Sequence, residues 1–265
     1  MNIGTAVPSA EELQFVTHHF IQNKSIHEKY TVGDFEREAI TTIDNLFKNS
    51  DYAIVVGGSG LYVDALLHGL DSFPEIDLKI RQQLIQDLDK NGIQYLQTLL
   101  KDLDNEHYQN LCKVNLQTLQ NPQRLLRFLE VCIGSGQPYS SFLKKHQTIR
   151  NFNTIIIGLE ADRKTIYSRI EQRVDLMIKS GLVEEVKNLC DYQKLNALQT
   201  VGYSELFQYL NNECSLDFAT AQIKKNTRRY AKRQLTWFKR YENVSWFDFE
   251  VDFEKIIKII KDKTL

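Results

Sequence analysis

The 265-residue sequence predicts an α/β fold, a parallel sheet wrapped by helices and interrupted by an all-helical block. Three observations lead there. Ala53-Ile54-Val55-Val56 and Thr154-Ile155-Ile156-Ile157-Gly158-Leu159 are apolar, β-branched runs without polar alternation, the pattern of parallel strands buried on both faces. The first run stops at Gly57-Gly58-Ser59-Gly60 and passes at once into an apolar-periodic stretch, giving strand, glycine-rich turn and helix, the repeating unit of such sheets. Between the two runs, residues 73–148 are rich in Gln and Leu, with no strand pattern from Asp77 to Ile133. This block is therefore expected to be a helical insertion (73–148) in a core made of residues 1–72 and 149–265.

Taken in order, residues 1–8 form a loop. Ser9 and Glu12 then make a capping box that opens a helix. His18 and His19 lie in an apolar setting, where a hydrogen-bonded core pair is favoured over a metal site. Residues 34–47 carry Phe35, Ala39, Ile43, Leu46 and Phe47 at helical spacing. The turn at Gly57–Gly60 follows the first strand. Its glycines allow positive φ and close backbone approach, and the amides opening the next helix could receive a phosphate, an ordinary tight connection being the alternative.

Three helices are expected in the insertion, over 77–91, 93–103 and 122–133, the last holding Arg124 and Arg127 one turn apart. After the second strand, a long helix starts at Asp162 and pairs Arg169 with Arg173 at i and i+4, near the mouth of a parallel sheet and suited to a phosphate. Surface pairing with Asp162, Glu171 and Asp175 explains these arginines equally well. Gly181 ends that helix before another at 183–190. Residues 224–240 hold Lys224, Lys225, Arg228, Arg229, Lys232, Arg233, Lys239 and Arg240 with no acid among them, interleaved with Tyr230, Trp237 and Phe238. As a helix this places Lys225, Arg229, Lys232 and Arg233 on one face, a basic stripe for a polyanion, in first place a nucleic acid. A strand at 244–247 and an amphipathic helix at 253–260 close the chain.

Net charge is −1, so the protein as a whole has no polycation signature and a nucleic-acid surface must come from local clustering. Cys112, Cys132, Cys190 and Cys214 are too far apart for a zinc or redox motif, and reduced thiols are expected. There is no apolar run of membrane-spanning length and no charged, apolar leader at Met1, which makes a cytoplasmic protein the expectation.

Together these stretches resemble the tRNA dimethylallyltransferases, nearly end to end. Asn2-Ile3-Gly4-Thr5-Ala6-Val7-Pro8 is similar to that family's Ile-Gly-Thr-Ala-x-Pro loop, His18-His19 to its Pro-His-His, and Val56-Gly57-Gly58-Ser59-Gly60-Leu61-Tyr62 to its Val-Gly-Gly-Thr-Gly-Leu-Tyr. The run Asn121-Pro122-Gln123-Arg124-Leu125-Leu126-Arg127-Phe128-Leu129-Glu130-Val131 resembles the family's Arg-x-x-Arg helix. Arg169-Ile170-Glu171-Gln172-Arg173-Val174-Asp175-Leu176-Met177 resembles Arg-Ile-x-x-Arg-Val-Asp-x-Met, and Val201-Gly202-Tyr203 the Gly-Tyr turn. The most diagnostic stretch is Asn226-Thr227-Arg228-Arg229-Tyr230-Ala231-Lys232-Arg233-Gln234-Leu235-Thr236-Trp237-Phe238.

The resemblance implies a P-loop NTPase-like sheet and transfer of a dimethylallyl group from dimethylallyl diphosphate to N6 of adenosine-37 in the tRNA anticodon loop. It implies that Arg173, with Arg169 beside it, holds the diphosphate. It also implies that Ser59, Arg81, Gln123, Arg124, Leu125, Leu126 and Arg127 touch tRNA, together with Gln199, Thr200, Val201, Gly202, Tyr203 and Ser204. Arg228, Arg229, Lys232 and Arg233 are expected on tRNA phosphates. The insertion would clasp the anticodon stem, a monomer is expected, and Mg²⁺ is expected with the diphosphate, its ligands outside this chain. Family members begin with a phosphate-loop strand and a second strand ending in an Asp that acts as base. Neither is found ahead of Ile3-Gly4-Thr5, so the sequence reads as N-terminally incomplete, with no catalytic base identified and with poor folding and activity expected of it alone. Two other readings stay open, an inactive RNA-binding remnant of the family and a nucleotide kinase of related fold.

Overall fold

The computed structural model describes residues 1–143 and 148–264. In chain order its main elements are α1 (Ala10–Phe15), α2 (Val32–Leu46), α3 (Gly60–His68), α4 (Leu78–Leu103), α5 (Asn105–Val114) and α6 (Pro122–Ser135). There follow β1 (Ile156–Glu160), α7 (Arg163–Lys179), α8 (Leu182–Lys187), α9 (Tyr203–Leu210), α10 (Leu216–Phe238), β2 (Val244–Asp248) and α11 (Phe253–Thr264). The chain divides into two compact units, one of Met1–Leu67 with Asn151–Leu265, the other His68–Arg150.

In the first unit β1 and β2 pair in parallel, Ile156 against Val244 through Glu160 against Asp248. Gly158 leaves the space that the Trp246 ring fills, since a Cβ there would lie 2.6 Å from that ring. The larger core is helical. Ile170 and Val174 of α7, Leu182 and Val186 of α8, Leu206 and Phe207 of α9, and Ala219 and Ile223 of α10 form one buried cluster. A smaller one joins Ala39 and Ile43 of α2 to Leu66 of α3, with Phe35 and Phe152 against it.

Several local signals act as the sequence suggests. Ser9 and Glu12 form the reciprocal capping box of α1, and Asp162 accepts from the Lys164 and Thr165 amides to start α7. Other expectations are corrected. Residues 53–56 are not a strand: among the described residues the only ladder joins β1 and β2, and Ile54 and Val56 are each 90% exposed. An apolar run becomes a strand only where a neighbour takes its N–H and C=O groups. His18 and His19 are exposed rather than core, His18 Nδ1 lying 2.8 Å from the Val16 carbonyl. The helix expected over 183–190 ends at Lys187, with a 3₁₀ turn at Cys190–Tyr192.

The second unit is helical throughout its described elements. Leu84, Leu96 and Leu100 of α4 pack on Leu125, Leu126 and Leu129 of α6. The expected pair of helices is present within α4, which is broken at Gly92, whose φ of 77° only glycine adopts without strain. Asp104 is buried and accepts from the His107 amide and from the Ser140 amide and hydroxyl, which fastens the Tyr139–Phe142 turn beneath α5. His107 lies between Phe128 and Tyr139, and burial pushes its imidazole pKa down although Asp104 opposes this.

In the first unit one carboxylate holds the N-terminal loop. Glu185 of α8 accepts from the amides of Asn2 (2.7 Å), Ile3 (2.9 Å) and Gly4 (3.1 Å) and from the Tyr203 hydroxyl (2.6 Å). Gly4 is required there because a Cβ would meet the Tyr203 ring at 2.4 Å. Burial pushes the Glu185 carboxyl up, yet the hydrogen bonds from Tyr203, Ile3, Gly4 and Asn2 outweigh it and leave the pKa lowered. A lowered folded pKa gives stability that is complete above the unfolded value, about 4.3, and is lost as pH falls below it. Melting curves across pH should therefore show a steeper acid decline in the natural protein than in Glu185→Gln, whose stability should be lower at neutral pH. Parallel declines would contradict the role given to Glu185.

Candidate nucleic-acid interface

The glycine-rich turn and the basic helix, separated by about 170 residues in sequence, meet in the structure. Gln234 of α10 donates to the Gly58 carbonyl at 2.8 Å, the Ser59 and Tyr230 hydroxyl oxygens lie 3.4 Å apart, and Trp237 Nε1 donates to Asp64 of α3 at 3.2 Å. Arg240 and Tyr241 also reach the Asp64 carboxylate, and burial together with that carboxylate pushes the Tyr241 phenol pKa up. None of the turn's glycines has positive φ. What they provide is closeness: a Cβ on Gly58 would lie 2.1 Å from Gln234, and one on Gly60 would lie 2.2 Å from the Trp237 ring. Gln234 and Trp237 are therefore functional neighbours of the turn that the sequence alone does not pair with it, although both lie in the diagnostic stretch.

The basic stripe on α10 is acid-free in sequence but not in space. Lys224 pairs with Asp175 at 2.6 Å and Arg228 with Glu171 at 2.8 Å, both acids on α7, while Arg240 pairs with Asp64 at 3.4 Å. Arg228 also lies over the Tyr167 ring. These pairs run in opposite directions along the two helices, so α7 and α10 are antiparallel. Lys225, Arg229, Lys232 and Arg233 remain exposed and have no acidic partner among the described residues. Tyr230 is 39% exposed beside them, with the Arg233 guanidinium 5.7 Å from its ring. An exposed aromatic ring among unpaired cations, next to a backbone turn that carries a hydroxyl, is suited to a single-stranded nucleic acid.

A second cationic group lies elsewhere in the same unit. Glu171 and Asp175 face α10, and Arg169 and Arg173 are about 200° round the helix from them. Both arginines are exposed. Arg169 lies over Phe249, 4.8 Å from its centroid, and the Phe249 amide donates to the Glu160 carbonyl where the two parallel strands end. Arg169 thus stands at the carboxyl ends of the strands, where open α/β sheets bind ligands, and Arg173 follows one turn further along α7.

In the helical unit Arg81, Gln123 and Arg127 are brought together. Arg81 donates to Gln123 at 2.9 Å, and Arg81 and Arg127 each donate to Glu130 at 2.6 Å. Arg124 points elsewhere, to the Thr118 hydroxyl at 2.8 Å. Leu125 and Leu126 are fully buried against α4. Gly202 and Tyr203 are buried as well, Tyr203 with its hydroxyl on Glu185. Val201 packs on the helical core, whereas Gln199 and Thr200 are exposed and Ser204 is half-buried. Glu205 is buried and accepts from the Gly202 amide and from Asn226 of α10, which fixes this turn against the basic helix.

The chain is thus an α/β protein with an unpaired cationic face on α10 and an exposed arginine at its strand ends, both of a kind suited to phosphates. A family model described as IPP transferase matches residues 1–241. A tRNA dimethylallyltransferase from Flavobacterium psychrophilum is 60% identical over 263 residues, covering 99% of this chain and 86% of that protein. The solved full-length tRNA isopentenylpyrophosphate transferase from Bacillus halodurans superposes with a TM-score of 0.67 at 34% identity, covering 100% of this chain and 82% of that one. A eukaryotic dimethylallyltransferase described as acting on tRNA shares the fold, with a TM-score of 0.76 at 21% identity over 99% of this chain and 69% of its own. The chain belongs to the IPP transferase family.

The turn and α10 give a paired test. Gly60→Ala forces a methyl into the Trp237 ring and should cost about 1–3 kcal/mol, as overpacking does. Gly57→Ala has open space, nothing lying within 4 Å of the added Cβ, and should be neutral or slightly stabilising. Thermal unfolding of both variants checks this. Equal melting temperatures would show that the turn does not dock on α10.

Proposed function

We propose that this chain modifies tRNA, transferring a dimethylallyl group from dimethylallyl diphosphate to the N6 amino group of an anticodon-loop adenosine. The observation that carries the reading is the meeting of the Ser59 turn with the unpaired cations of α10, within a chain of the IPP transferase family. Phosphates of the anticodon loop would lie along Arg229, Lys232 and Arg233. Tyr230 offers a face for stacking, and Ser59 Oγ offers a donor and an acceptor to the base edge. Arg228 contributes by anchoring α10 to α7 through Glu171.

In the reaction the amino nitrogen attacks the allylic carbon, and the bond from that carbon to the diphosphate oxygen breaks. The nitrogen gives up one proton to solvent as the new C–N bond forms, and the diphosphate departs with the electron pair. Arg173 and Arg169 carry the charges that would stabilise it. Mg²⁺ commonly neutralises a diphosphate, but no group of three or more His, Cys, Asp or Glu that could hold a metal is present among the described residues. Glu171 and Asp175, the acids nearest Arg173 in sequence, are taken by Arg228 and Lys224. The described residues therefore make no Mg²⁺ site of their own, and Arg173 with Arg169 is what this chain would bring to the leaving group. The parallel strands with Arg169 at their ends agree with a P-loop type of sheet.

Separating the donor from the acceptor tests this. With mass-spectrometric detection of prenylated adenosine, Arg173→Ala should raise KM for dimethylallyl diphosphate by tenfold or so, on the order of one charge-assisted hydrogen bond, and leave tRNA affinity nearly unchanged. The triple change of Arg229, Lys232 and Arg233 to Gln should instead weaken tRNA binding and flatten its salt dependence by about one unit for each phosphate no longer neutralised. A triple variant with unaltered tRNA affinity, or Arg173→Ala with an unaltered KM for dimethylallyl diphosphate, would overturn the proposal.

A further inference from the structure

We infer that Glu130 is a positioning residue that aims Arg81 and Arg127 at one phosphodiester of the bound RNA. The inference rests on the functional reading above. Its ground is an inversion of the usual surface order, with the acid beneath and the bases on top. The Glu130 side chain is 9% exposed, whereas those of Arg81 and Arg127 are 36% and 42% exposed. Each carboxylate oxygen takes a single guanidinium, Oε2 from Arg81 on α4 and Oε1 from Arg127 on α6, both at 2.6 Å.

Two guanidinium groups this close would repel one another without the carboxylate, and each would have several rotamers open to it. With it they are held as a pair whose net charge is +1, still attractive to a phosphate. An arginine has five N–H donors, and one from each is used on Glu130, so donors remain for a ligand. Two further contacts set the planes. Gln123 Oε1 accepts from Arg81 at 2.9 Å, and the Arg127 guanidinium lies 5.0 Å from the Phe73 ring centroid. Phe73 is itself stacked on Tyr139 at 4.9 Å, with an interplanar angle of 17°. A surface ion pair would leave both partners mobile and solvated. Here the acid is buried and one base rests on an aromatic ring, so the outward donors are fixed before any ligand arrives, which lowers the ordering cost of binding.

The test uses the full chain, a labelled anticodon stem-loop RNA, and affinity measured over a range of salt concentrations beside melting temperature. Glu130→Gln presents an amide to one guanidinium and misdirects it. Affinity should fall about tenfold, the worth of one charge-assisted hydrogen bond, with the salt slope reduced by about one unit. Because Glu130 acts through the arginines, Glu130→Gln combined with Arg127→Gln should bind little worse than Arg127→Gln alone, whereas a purely structural residue would add its effect. Should Glu130→Gln fail to fold, Phe73→Leu removes the ring beneath Arg127 and should give a severalfold loss of affinity at a near-natural melting temperature. Unchanged affinity and salt slope in the folded Glu130→Gln, or in Phe73→Leu, or additive losses in the double variant, would overturn the assignment. Natural protein that binds no RNA would overturn the functional reading and this assignment with it.

Discussion

The docking of α10 beneath the Gly57–Gly60 turn is the constraint on which the proposed tRNA face depends. Gln234 holds the Gly58 carbonyl and Trp237 holds Asp64, and two missing Cβ atoms let the helix approach that closely. Further back along the same helix, Asn226 is held by Glu205, and Lys224 and Arg228 by the acids of α7. α10 is thus tied on several sides through side chains that face the protein. The cations facing solvent are left without competing acids. Their sparseness is what gives them reach: a polyanion need not displace a carboxylate to engage Arg229, Lys232 or Arg233.

Carboxylates fix loops in three places, each time by accepting from several donors at once. Glu185 gathers the amides of residues 2–4 and the Tyr203 hydroxyl, Glu205 ties the Gly202 turn to α10, and Asp104 secures the turn at Ser140. Glu130 does the same for two arginines. A buried acid with multiple donors stabilises its charged form, and removing it leaves several groups unsatisfied together. Loops of this kind keep their shape without a regular ladder, which suits a chain whose described sheet has two strands.

How much of this was legible in the sequence follows the range of each interaction. The Ser9–Glu12 box, the Asp162 cap and the break at Gly92 are set within a few residues, and their positions were readable. The basic helix and the Arg169–Arg173 pair were readable too, because helical spacing alone places them. What was missed spans the chain: Gln234 to Gly58 is 176 residues apart, Asn2 to Glu185 is 183, and Arg81 to Glu130 is 49. The run at Ala53-Ile54-Val55-Val56 shows the converse error, since apolar composition describes a preference and a strand needs a neighbour. Family resemblance names whole segments around Leu125, Leu126 and Tyr203, whereas packing decides which of their faces is free, and these three side chains are buried.

The central claim is that tRNA lies on the surface where the Ser59 turn meets α10. Photo-crosslinking of an anticodon stem-loop carrying a reactive nucleotide beside the target adenosine, followed by peptide mapping, tests it directly. The account predicts adducts at Ser59 and Tyr230 and within residues 229–233, abolished when excess unlabelled tRNA competes. Adducts confined to the Arg169–Arg173 side of α7, with none on the turn or on α10, would contradict it.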